Sequence, residues 1–165
     1  EYGFSGVNNE PFSGLYGKYF SEQLERAGVG FSREVELIKV AHKNNFFSVA
    51  WAMSNEEAAR MAAAGADVIG AMIGVTSGGM SGASKTISLE EATDAVRQMI
   101  YAAKRENPDV MVLTHGGPFA DPDTAAYSIH NTEAVGYASG SSGERIPTES
   151  AVIETTREFK KISLS

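Results

Sequence analysis

Apolar residues along this chain fall into two alternating rhythms. Short runs in which every second position matches predict strands, and stretches with apolar residues three and four apart predict helices. Strands are predicted at 4–8, 46–53, 68–74, 110–114 and 134–138. In the second, Phe47, Val49, Trp51 and Met53 share one face opposite mainly small residues, so Trp51 and Met53 read as core. A first helix is predicted over 17–27, with Phe20 and Leu24 four apart. A second starts from an N-cap at Ser32 and carries Val35, Ile38 and Ala41. Ser54 and Glu57 have capping-box spacing and open a helix that turns Ala58, Met61 and Ala62 inward and stops at Gly65. Ser88 and Glu91 repeat that spacing at the head of the longest helix. Its stripe is Ala92, Val96, Met99, Ile100 and Ala103, and Asn107-Pro108 ends it. Asp121-Pro122 starts a helix through Ala125 and Ile129. Pro147 starts the last, with Val152, Thr155, Phe159 and Ile162 along its buried side.

Five strands alternating with helices indicate an α/β domain with a parallel sheet. No linker, charge block or low-complexity segment divides the chain, so residues 1–165 read as one domain. Two architectures compete. Length favours a five-stranded doubly wound sheet, because a complete (β/α) barrel typically needs about 250 residues. The alternation of large and small residues in the second and third strands favours the layered interior of a TIM-type barrel.

Composition narrows the function classes. Lys+Arg 14 against Asp+Glu 21 leaves a net charge of −7, which disfavours nucleic acid as a partner. The absence of cysteine excludes disulfides, thiolate metal sites and a cysteine nucleophile. No apolar run reaches the roughly 18 residues of a membrane helix. A cytoplasmic protein without membrane contact is the expectation.

Chemistry concentrates where strands end. The exits 114–118 and 140–145 combine glycine, hydroxyl, imidazole and charge, the mixture that α/β proteins use for small ligands. His115 is the candidate proton carrier; the alternative is a strand-end histidine bonded to a nearby loop. Gly116, Gly117, Ser141 and Ser142 form a candidate anion site, since glycine lets backbone N–H groups approach an oxyanion. Ordinary turn chemistry is the competing reading. Glu144 is a candidate acid/base and Arg145 a candidate partner for a carboxylate or phosphate; the bland alternative is a local ion pair or cap. Asn8 and Glu10 end the first strand and can face the same mouth. Glu10 is a candidate ligand for Mg²⁺, although a hard cation needs several oxygen ligands and no full set is nameable. Thr76 belongs to a glycine-rich loop, 75–82, of the kind that closes over ligands. His42 and His130 fall late in helices and read as solvated or capping. No phosphate-binding G-x-x-x-x-G-K-[ST] sequence occurs, so nucleoside triphosphate chemistry is not expected.

Several ordered motifs carry a family resemblance: 6–11, 34–38, 62–69, 74–79, 115–118 and 141–149. Together they resemble the phosphoenolpyruvate hydrolase-like family, also described as TIM-barrel signal-transduction proteins, across nearly the whole chain. The resemblance implies a barrel related to phosphoenolpyruvate mutase and isocitrate lyase enzymes, of which this chain covers strands four to eight. It implies hydrolase or lyase chemistry on a small phosphorylated or 2-oxo acid; the alternative is a ligand-sensing or protein-interaction domain in signalling. It further implies a homo-oligomer, or completion by an N-terminal segment. Two positions depart from the family pattern. Glu10 stands where an aromatic is usual, and Met72 where a histidine is usual.

Overall fold

The strand and helix rhythms resolve into one sheet with its helices laid in a row. In the computed structural model, which describes residues 3–10 and 12–163, five parallel strands occur: β1 (Gly6–Asn8), β2 (Phe47–Ala52), β3 (Val68–Met72), β4 (Met111–His115) and β5 (Gly136–Tyr137). Their spatial order is sequential, β1-β2-β3-β4-β5. The helices are α1 (Gly17–Arg26), α2 (Phe31–Lys43), α3 (Asn55–Ala63), α4 (Leu89–Glu106), α5 (Pro122–His130) and α6 (Arg145–Phe159). From α1 to α5 each helix packs on the next. A doubly wound sheet needs a point where strand order reverses. This sheet has none, and its order is that of an arc of a (β/α) barrel.

Register decides what each face carries. Trp51 pairs with Gly70, Gly70 with Leu113, and Leu113 with Gly136; Met72 pairs with His115. These residues share the concave face. Ser48, Ala50 and Ala52 point the other way and are fully buried under the helices. Small residues there let the helices approach closely. Ile38, Met61, Val96 and Met99 fill the layer above them, each no more than 2% exposed, and each such burial contributes about 1.5–3 kcal/mol. The large concave residues are less covered: Phe47 is 49% exposed and Met111 41%.

Four expectations need correction. The first and last strands are shorter than the predicted 4–8 and 134–138, because β1 and β5 each pair on one side only. Gly30, not Ser32, is the N-cap of α2. A Cβ at Gly30 would lie 2.6 Å from the Glu25 backbone, and Ser32 instead donates its N–H to the Glu25 carboxylate at 3.1 Å. The last helix begins at Arg145, with Pro147 inside its first turn, where a missing N–H is tolerated. Its expected apolar side is also exposed: Val152 59%, Phe159 67% and Ile162 69%. No helix among the described residues is long and apolar enough to cross a membrane.

Candidate functional site

The carboxyl ends of β3, β4 and β5 form one rim. His115, the last residue of β4, sits on it half-buried. Its Nδ1 lies 2.6 Å from the Ala138 carbonyl. A carbonyl only accepts, so Nδ1 carries the proton and Nε2 of the neutral ring is left with a lone pair. Trp51 meets the imidazole edge-on at 5.0 Å between centroids, and Tyr137 lies nearly parallel to it at 6.3 Å. The ring is therefore fixed in tautomer by Ala138, the residue that follows β5, and in orientation by two aromatics.

Gly116 and Gly117 both have positive φ, +77° and +57°. A Cβ on Gly116 would collide with the Gly74 carbonyl. Gly117 donates its N–H to that carbonyl at 3.0 Å and accepts from Ser77 N–H at 3.0 Å. The glycine pair thus lets the exits of β3 and β4 touch. Thr76 is buried in the same contact, and its carbonyl accepts from Ala83 N–H at 3.1 Å.

At the β5 exit the hydroxyls form a directed chain. Tyr137 donates to the Phe119 carbonyl at 2.7 Å, which obliges Ser142 to donate to Tyr137, also at 2.7 Å. Ser139 then donates to Ser142 at 3.1 Å. Ser142 has spent its proton. Ser141 is half-buried and its carbonyl accepts from Ile146 N–H at 2.9 Å. Glu144 is exposed, and its N–H donates to Gly140. Arg145 reaches back across the rim: Nη2 donates to the Gly78 carbonyl at 3.1 Å, and Nη1 pairs with Glu149 at 3.2 Å.

Asn8 and Glu10 lie elsewhere. The Asn8 side chain accepts from Glu10 N–H at 2.9 Å, and both border a groove of about 460 Å³ against α2 rather than the His115 rim. Among the described residues no three of His, Asp and Glu come together as a metal-holding group.

Three residues outside the predicted set organise the neighbourhood. Asn9 is 5% exposed and behaves like a strand partner for Trp51, accepting from its N–H at 2.7 Å and donating to its carbonyl at 3.2 Å. It also donates to Glu34 at 2.6 Å, whose other oxygen accepts from Ser13 N–H at 2.7 Å. Glu57 accepts from Met53 N–H at 2.7 Å. Burial pushes its carboxyl above the usual carboxylate range, against the lowering effect of that hydrogen bond. Asn9 and Glu34 both lie in the motifs of the family resemblance, which was the available signal. Among the described residues the indole Nε1 of Trp51 is buried without a partner.

Comparison of the sequence with family models adds a family to this geometry. The model described as "Phosphoenolpyruvate hydrolase-like" matches residues 1–162. The chain belongs to the phosphoenolpyruvate hydrolase-like family. Among curated relatives, the tomato (Solanum lycopersicum) ToMV susceptible protein tm-1(GCR26) is 42% identical over 163 residues. The ToMV resistance protein Tm-1(GCR237) of the same plant has the same identity; both alignments cover 98% of this chain and 22% of the relative. A putative transcriptional regulatory protein, y4pA, from Sinorhizobium fredii is 31% identical over 160 residues, 97% of this chain and 26% of its own. The family member described here thus spans about a quarter or less of the length of these relatives.

Proposed function

We propose that this phosphoenolpyruvate hydrolase-like chain forms the barrel wall of an enzyme site for a small phosphorylated or 2-oxo acid. The chemistry is of hydrolase or lyase type, and His115 moves the proton. The supporting observation is the fixed tautomer of His115: Nδ1–H is held by Ala138, which leaves Nε2 as the nitrogen that exchanges a proton at the ligand-binding end of a parallel sheet. The anionic group sits among Gly116, Gly117, Ser141 and Ser142. Gly117 N–H and the Ser142 hydroxyl are already committed. Among the described residues Gly116 N–H and the Ser141 hydroxyl have no hydrogen-bond partner, and they are the donors left for an oxyanion. Arg145 orients a carboxylate once it leaves Gly78. The open concave face is closed by further β/α units of a longer protein or by a second copy. The site works in the cytoplasm.

A second reading is a ligand-sensing or interaction domain without turnover. Met72 favours it: its sulfur packs on Gly116 at the rim, where the family resemblance has a histidine. The names of the relatives, resistance and regulatory proteins, also lean that way. The test is turnover of a panel of phosphorylated and 2-oxo acids by the wild type and His115→Asn. Turnover by the wild type that is lost in the variant supports the enzyme. Equal turnover removes His115 from the mechanism. Saturable binding without turnover by the wild type selects the sensor.

A further inference from the structure

Loop 74–83 is held in two different ways. Its base is tied by backbone hydrogen bonds, Gly117 N–H to Gly74, Ser77 N–H to Gly117 and Ala83 N–H to Thr76. Among the described residues its tip is hydrogen-bonded only to side chains from a segment 67 to 69 residues later: Arg145 donates to the Gly78 carbonyl, and Glu149 accepts from Met80 N–H at 2.7 Å. The tip is otherwise open, with Met80 77% exposed. Gly79, at φ +70°, lies so close to Arg145 and Glu149 that a Cβ there would overlap both.

The ion pair itself is poorly placed for helix stability. Arg145 opens α6, where the positive end of the helix dipole disfavours a cation. Arg preceding Glu by four is also the weaker order for a helical pair. Yet Arg145 and Glu149 are only 25% and 20% exposed. What compensates is the loop, which supplies a carbonyl to the cation and an N–H to the anion. The Met80 N–H, and then Arg145, hold the Glu149 carboxyl below the usual range, so it stays charged into mild acid.

At its base the loop lies against Gly117, two residues past His115 at the exit of β4. We propose that Arg145 and Glu149 are a latch that straps loop 74–83 across this exit and limits access to the His115 ring. Opening needs a competing anion for Arg145, so a ligand carboxylate or phosphate both occupies the rim and releases the strap. The proposal rests on His115 as the reactive group of the site, but its readouts do not depend on turnover.

The test uses the full chain with Arg145→Ala, Glu149→Ala and the double variant. Hydrogen exchange of the Met80 amide and acylation of His115 by diethyl pyrocarbonate are followed by mass spectrometry. His42 and His130, both exposed near helix ends, serve as internal controls. Loss of charge-assisted hydrogen bonds should speed Met80 exchange about tenfold. His115 should acylate severalfold faster, His42 and His130 should not change, and the double variant should match either single. Unchanged Met80 exchange overturns the latch. Faster Met80 exchange with unchanged His115 acylation overturns the access role. If the alanine variants unfold, seen as all three histidines accelerating together, the same two measurements on Glu149→Met decide, because it keeps a side chain of similar length and removes both the charge and the oxygen acceptors. A failed turnover assay leaves these outcomes untouched.

Discussion

Along β2 the two faces of the sheet invert the usual relation between size and burial. Under the helices β2 presents Ser48, Ala50 and Ala52 beside Ile69 and Val112, all fully covered; on the concave side lie Phe47, Trp51, Met111 and Leu113, half-covered or exposed. The helix side of β2 is small, and α2 and α3 pack directly on it. The concave side is large because side chains from opposite strands fill the interior of a closed barrel. The comparison separates what this chain packs for itself from what it offers to a covering segment.

The largest expected effect lies on the helix side. Met61→Ala leaves a cavity in a fully buried site and should cost ~2–5 kcal/mol in a denaturant titration. A value under ~1 kcal/mol would mean that the helix layer is loosely packed. Next comes a tight spot on the concave face. A Cβ at Gly70 would enter the Trp51 ring, so Gly70→Ala should cost about 1–3 kcal/mol and disturb Trp51 fluorescence. An unchanged spectrum would detach Trp51 from the sheet.

At the seam between the faces, Glu57 gives a pH-dependent term. Its folded carboxyl is raised by burial, so the folded state binds the proton more tightly than the unfolded chain. Stability therefore falls as pH rises through and just above the ordinary carboxylate range. Glu57→Gln should flatten that slope in urea midpoints measured across this window. Asp121, lowered chiefly by Thr124 N–H, works in the opposite sense: its contribution is lost on acidification. The smallest effect is on the open concave surface. Met111→Ser should change stability by no more than about 0.5 kcal/mol in this chain. A clearly larger loss in a longer protein carrying the same domain would show the face covered there.

Helix positions were legible in the sequence because a buried stripe repeats within one element: Ala92 to Ala103 is read without knowing what covers it. The strand faces were legible too, since Phe47, Val49 and Trp51 alternate with Ser48, Ala50 and Ala52. Which face the helices cover was not, because alternation is symmetric until helix packing chooses a side. The apolar stripe of α6 misled for a related reason. Its spacing is helical, but nothing among the described residues packs on Val152 or Phe159. In the candidate site, His115 and its glycines stood out by position and type. Asn9, Glu34 and Glu149 did not, because polar residues with partners far along the chain look like surface.

The sequence by itself determined the α/β class, the parallel sheet, the helix stripes and the chemistry at the exits of β4 and β5, all of which are local or periodic. Tertiary structure alone decided the sequential strand order and the face left open. It also decided the tautomer of His115, the direction of the Tyr137–Ser142 protons and the reach of Arg145 to Gly78. Each of these depends on which groups meet across segments distant in the chain. Hydrogen-bond polarity and packing are properties of that meeting, not of either segment.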